Sequence, residues 1–258
     1  MATFPIYQFY VELENYEPKM WRRFQVMNDI TIARLGYIIM TLFELRNYYP
    51  YEVRKDELEV FKKKHPEYAK HPERLDELNI EFKKMRYGIT NKKNLYMYTK
   101  VEKYGELLDA TKTKIGDLLK LNNEEITFYY DPEINWKIKV VLEKSFIDKN
   151  LYAKELPKIL DGSGYGIIEK CNNTKELQQL RDELKARRWI NNSDYKYYSL
   201  NDKSNRLMLD KFDIDDMNYR VKVLPRTYED EYEKKVYPSY QTMKIRKRRY
   251  KLYKKIEN

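Results

Sequence analysis

The chain has 258 residues, 42% of them hydrophobic and 15% aromatic, which excludes a disordered polymer and fits one large domain with embellishments or a domain plus a smaller lobe. Its only cysteine, Cys171, excludes an internal disulfide and any multi-cysteine metal site within one chain. No apolar run approaches the ~18 residues of a transmembrane helix and no signal-like segment opens the sequence, so the expected location is the cytoplasm. The net charge of +10 is concentrated: Lys244 to Asn258 holds eight basic residues and one acid, +7, leaving +3 for the 243 residues before it.

In chain order, Tyr7, Phe9, Val11 and Leu13 alternate with Gln8, Tyr10, Glu12 and Glu14, the period of a strand with one apolar face. Phe24 and Val26 continue that pattern after a turn over Asn15 to Lys19, so an antiparallel hairpin is expected. Asp29 and Thr31 are the candidate caps for a helix. In it Ile32, Leu35, Ile38, Ile39, Leu42 and Phe43 form one stripe able to cover the hairpin. Arg46 to Lys93 reads as an inserted helical hairpin. One helix runs from Asp56 to Lys64 and stops at His65-Pro66; another follows Pro72 through Leu75, Leu78, Phe82 and Met85 to Gly88.

Leu95 to Val101 alternates as a strand, and a short helix capped at Thr113, with Ile115, Leu118 and Leu119 apolar, is expected to follow. A second hairpin pairs Ile126, Phe128 and Tyr130 with Trp136, Ile138, Val140 and Leu142 across the Asp131 to Asn135 turn. Lys137, Lys139 and Glu143 face the other way. Leu156 to Asn173, with Gly162, Gly164 and Gly166, is expected to be an ordered loop, followed by a helix capped by Asn173 with Glu176 and edged by Leu177, Leu180 and Leu184. Phe212 to Val223 closes the body. From Arg226 the composition shifts to Tyr, Lys, Arg and Glu.

These runs keep the order of a known family. Ile6-Tyr7-Gln8-Phe9-Tyr10-Val11, then Met20 to Val26, then Ile32 to Phe43 open the match. Leu95 to Gly105, Ile115 to Leu119, Phe128-Tyr129-Tyr130-Asp131 leading to Trp136, Pro157 to Gly164 and Phe212-Asp213 continue it. Together they resemble the plasmid pRiA ORF-three-like family, often labelled insertion-element passenger proteins. The resemblance implies an α+β protein of plasmids and other mobile elements, with no established reaction. The resolvase label that some members carry does not transfer. The first serine is Ser145, too late for a serine recombinase, and His71-Pro72-Glu73-Arg74 is an isolated fragment of a tyrosine recombinase set.

The family pattern has a histidine before the leucine matched by Leu95, Gly-Asp-Asp before the tryptophan matched by Trp136, a histidine two residues later, and a cysteine pair in the glycine-rich loop. This chain has Asn94, Glu133-Ile134-Asn135, Ile138 and the single Cys171. A pocket of histidine, aspartate and cysteine lone pairs is the kind that holds a metal, and most of that set is absent here. The remaining motifs point elsewhere. Gly162-Ser163-Gly164-Tyr165-Gly166 lacks the Gly-Lys-Ser/Thr ending of a phosphate loop. Asp213-Ile214-Asp215-Asp216 lacks the glycine and distal glutamate of a calcium loop. His65 and His71 read as helix-boundary residues, and Cys171 has only Lys170 beside it to favour a thiolate.

The sequence therefore predicts an α+β fold, in which two antiparallel β-hairpins form a sheet packed on a long helix. Residues 1–225 form the body, with a helical insertion at 46–93, and 226–258 form a basic extension. The expected function is non-catalytic binding of nucleic acid or a nucleoprotein complex in a mobile element, with no cofactor, metal, membrane or small-molecule substrate. The candidate contacts are Lys244, Arg246, Lys247, Arg248, Arg249, Lys251, Lys254 and Lys255 for phosphates, and Tyr250 and Tyr253 for stacking on bases. The alternative is a protein inhibitor of a host nucleic-acid-processing defence enzyme, anti-CRISPR-like in role.

Overall fold

The computed structural model describes residues 5–46, 49–78, 82–89, 106–186 and 211–234. Alternation in the first two runs produces the expected hairpin of β1 (Ile6–Leu13) and β2 (Trp21–Met27), with Phe9 opposite Phe24. The second hairpin is β6 (Glu125–Tyr130) and β7 (Trp136–Phe146). Antiparallel pairing of β7 with β1 fuses the hairpins into one sheet. Including β3 (Tyr51–Asp56), β4 (Lys84–Gly88), β5 (Leu107–Asp109) and β8 (Lys158–Ser163), the order is β5-β4-β3-β6-β7-β1-β2-β8, antiparallel except at β4 and β5. The protein is α+β, as expected.

Helix α1 (Ile32–Leu42) starts at Thr31, whose side-chain oxygen accepts the Arg34 N–H at 3.1 Å. Its stripe does more than cover a hairpin: every residue except Arg34 is buried. The reason is α6 (Ile214–Glu229), which lies over α1 and buries Met217, Val221 and Pro225. The turn after α6 stacks Tyr232 on Tyr37 at 5.7 Å, and Tyr37 donates to Glu233 at 2.8 Å. Gly36 lets α1 approach the sheet, because a Cβ there would sit 2.5 Å from the Tyr51 ring.

Two expectations are corrected. Helices do occupy the middle of the 46–93 stretch, as α2 (Glu57–Lys64, capped by Asp56), α3 (Pro66–Lys70) and a 3-10 turn at Pro72–Leu78, and His65 and His71 are boundary residues there. Its flanks, however, are strands: β3 precedes α2, and the helix expected up to Gly88 is replaced by β4, paired with β3. The i, i+3, i+4 spacing of Leu75, Leu78, Phe82 and Met85 is compatible with a helix, but an open sheet edge recruits Lys84 to Gly88 instead. The loop expected at Leu156 to Asn173 likewise contains β8, which extends the sheet beyond β2. The short helix expected with a cap at Thr113 is α4 (Ile115–Leu118), which starts from Lys114 with no side-chain cap. The strand expected at Leu95 to Val101 lies outside the described residues.

The loop reading keeps a physical basis after β8, where Gly164 has φ of 78°. Around it, Arg22 is the one charged side chain on the inner face of the β1–β2 hairpin. It is fully buried, its guanidinium lies 4.2 Å from the centre of the Phe212 ring, and it donates to four carbonyls: Leu42, Trp21, Ser163 and Tyr165. One side chain thus ties the C-terminus of α1 to the glycine-rich loop, and burial lowers its pKa to about 9.

Candidate functional site

The helices α1 and α6 cover one face of the sheet. The opposite face carries the alternate residue set, and among the described residues much of it is open. Running from β3 to β2, Arg54, Thr127, Lys139, Glu12 and Trp21 stand side by side in register. The flanking row contains Glu125, Val141, Tyr10, Arg23 and Asp161. All are at least partly exposed.

Two aromatic groups on this face are framed by cations. Tyr10 and Trp21 stack at 5.6 Å, and the Arg23 guanidinium lies 5.7 Å and 5.4 Å from their ring centres. Arg23 is held there by two bonds to Glu143, 2.7 and 2.8 Å long, and that contact keeps the Glu143 carboxyl below its usual pKa. The second group is Tyr129, with Arg54 at 4.1 Å and Lys137 at 5.7 Å from its centre. Arg54 is in turn paired with Glu52 at 2.6 Å. Three strand spacings separate β6 from β2, about 14 Å. Beside Tyr129, α2 overhangs the sheet and leaves a recess of about 30 Å³ lined by Arg54, Asp56, Glu59, Val60, Thr127 and Tyr129.

This face is balanced in charge. Lys139 meets Glu125 at 3.4 Å and Lys19 meets Glu12 at 3.3 Å, so its cations are mostly matched by carboxylates. What it offers a ligand is flat aromatic surface with guanidinium edges, suited to stacking on planar groups. Sequence reasoning read these residues only as the solvated side of the hairpins. The available signal was a tyrosine or tryptophan at polar-register positions of three strands, where solvation alone gives no reason for an aromatic ring.

A second polar cluster sits where β6 ends. Asp131 and Asn135 adopt φ of 58° and 62°, and the Asp131 carboxylate accepts the Glu133 N–H at 2.9 Å, so the residues matching the family's Gly-Asp-Asp segment form a self-capped turn. Burial raises the Asp131 pKa. Glu169, on the loop after β8, accepts from the Tyr130 hydroxyl at 2.6 Å and from the Arg46 N–H at 2.7 Å. Ile138 is buried in the apolar core. Cys171 is buried too, and burial pushes its thiol up to about 12, which leaves it protonated and unreactive at neutral pH. Asp213 caps α6 through the Asp216 N–H at 3.1 Å, the role of the acidic turn.

The sequence-predicted contacts Lys244, Arg246, Lys247, Arg248, Arg249, Tyr250, Lys251, Tyr253, Lys254 and Lys255 lie outside the described residues, as does Asn94. Among the described residues no group of three or more His, Cys, Asp or Glu is placed to hold a metal, and no helix is long and apolar enough to cross a membrane.

The fold and this exposed face define an α+β protein built on an open-faced, mainly antiparallel sheet. Residues 5–221 match the family described as plasmid pRiA4b ORF-3-like protein, so the chain belongs to that family. The crystal structure of a protein of unknown function, MM3350 from Methanosarcina mazei Go1, has the same fold, with a TM-score of 0.58 and 19% identity over 84% of this chain and 98% of that one. No curated protein is detectably similar to the chain.

Proposed function

We propose that this protein binds single-stranded nucleic acid, or a nucleoprotein containing it, in the setting of a mobile element. The observation that carries the reading is the pair of cation-framed aromatic groups on the open sheet face, Tyr10 with Trp21 and Tyr129. Base stacking on exposed aromatics contributes about 1–3 kcal/mol per base and needs no particular sequence, and sheets with exposed aromatics are an established way of holding splayed bases. Because the face is charge-balanced, it supplies little attraction for phosphates. Lys244 to Lys255 supplies that part, with eight cations in one short segment.

The division of labour makes separate predictions. Fluorescence anisotropy titrations of single- and double-stranded DNA and RNA at two salt concentrations test it on the intact chain, a chain ending at Met243, and Trp21→Ala. Truncation is expected to lower affinity and flatten the salt dependence. Trp21→Ala is expected to lower single-strand affinity about tenfold and leave the salt slope unchanged, matching one lost stacking contact. Absence of binding by the intact chain at low salt overturns the reading, and a docking partner among nucleic-acid-processing defence enzymes becomes the alternative to test.

A further inference from the structure

The two aromatic groups of the open face are offset from each other diagonally. Tyr129 stands opposite Lys137 on β7; two residues further along β7, Lys139 stands opposite Glu12, and Glu12 stands opposite Trp21. Tyr129 and Trp21 are therefore displaced by three strand spacings across the sheet and two residues along it, about 16 Å in all. A nucleic-acid strand advancing about 3.4 Å per stacked nucleotide covers that distance in about five steps, and a splayed strand in fewer. Two neighbouring bases are too close together to reach both groups. A longer strand reaches both when it crosses the sheet diagonally, with its intervening nucleotides over β7.

Two lysines of β7 stand at that crossing, and they differ. Lys139 is paired with Glu125 at 3.4 Å, just as Arg23 is with Glu143, Arg54 with Glu52 and Lys19 with Glu12. Lys137 makes no ion pair with any of the described residues; it is partly exposed, and its ammonium lies 5.7 Å from the centre of the Tyr129 ring. A phosphate meeting Lys139 competes with a carboxylate, whereas one meeting Lys137 does not. We infer that Tyr129 and the Tyr10 and Trp21 pair are two stations of one track, which takes a single strand of about five nucleotides with its end bases stacked on the two groups and a phosphate between them on Lys137. The inference rests on the single-strand binding proposed for this face and gives it a length, a direction across the sheet and a phosphate contact outside the basic segment.

The test uses octanucleotides of constant length and charge, each with two thymines and every other position abasic, titrated against the intact chain by fluorescence anisotropy. Affinity is expected to rise about tenfold when the two bases are moved from adjacent positions to positions four apart, the gain of one more stacking contact at a fixed number of phosphates. Tyr129→Ala is expected to abolish that gain. Lys137→Gln is expected to keep it and to reduce the slope of log affinity against log salt by about 0.7, one phosphate contact on a single strand. An octathymidylate with all its bases that fails to bind overturns single-strand binding itself. If it binds, an affinity indifferent to the spacing of the two bases, or a spacing effect that survives Tyr129→Ala, overturns the shared track alone, and an unchanged salt slope in Lys137→Gln overturns its phosphate contact. The spacing series on the unaltered chain decides by itself if a variant does not fold.

Discussion

On β7, Trp136, Ile138, Val140 and Leu142 are buried, while Lys137, Lys139, Val141 and Glu143 between them keep contact with solvent. On β2, Phe24 and Val26 are buried and Trp21, Arg23 and Gln25 are not. The two faces of one sheet thus share strands and backbone, and differ in the side chains they carry and in what packs on them. The inner face is closed by α1 and then by α6. Among the described residues the outer face has the overhanging α2 near β3, and its side chains make pairwise contacts with one another. A substitution on the inner face should therefore appear mainly as lost stability, and one on the outer face mainly as lost binding.

The sharpest way to break the inner face is Arg22→Met. It leaves four carbonyls without their buried donor and is expected to cost about 3–5 kcal/mol, measured by urea unfolding. Gly36→Ala drives a methyl group into the Tyr51 ring and should cost about 1–3 kcal/mol in the same assay. The outer face should respond differently. Trp21→Ala is expected to change stability by less than about 1 kcal/mol, although it weakens single-strand binding about tenfold.

Two smaller effects test the margins of the sheet. Asn218 of α6 accepts from the Ile159 N–H at 2.8 Å and donates to the Ile159 carbonyl at 3.1 Å, occupying the backbone groups of edge strand β8. Asn218→Ala should cost about 1 kcal/mol and allow concentration-dependent association visible by light scattering. Glu143→Gln should cost less than about 1 kcal/mol, since the Arg23 pair is partly solvated. Its sign with pH is fixed: the folded-state pKa is depressed, so the contribution is present at neutral pH and lost as acid protonates the carboxylate. The variant should therefore lose less stability on acidification than the parent.

Much of this was legible along the chain. Both hairpins, the Thr31 cap, α2 with its stop at His65, and the Asn173 and Glu176 pair at the start of α5 (Thr174–Ala186), which bonds through the Glu176 N–H at 2.9 Å, follow from periodicity and cap chemistry. β4 and β8 were not legible, because each takes its conformation from a partner strand far away in sequence: β4 from β3, and β8 from β2. Nor were the aromatic groups of the outer face. Tyr10 belongs to β1 and Trp21 and Arg23 to β2, and only the hairpin register puts their rings and guanidinium within stacking range. Glu169 stood within a loop read for its glycines, and its meeting with Tyr130 needs the end of β6 and the loop after β8 to converge.

By itself the sequence determined the alternation of the strands, the helix caps, the family and the concentration of charge after Met243, all of which are properties of neighbouring residues. The tertiary structure decided which of two compatible patterns Lys84 to Gly88 adopts, which face of the sheet α1 and α6 close, and which buried groups meet across sequence separations of 39 or 123, as Glu169 does with Tyr130 and Arg46. Those outcomes depend on pairings and desolvation between distant segments, and a local pattern holds no record of either.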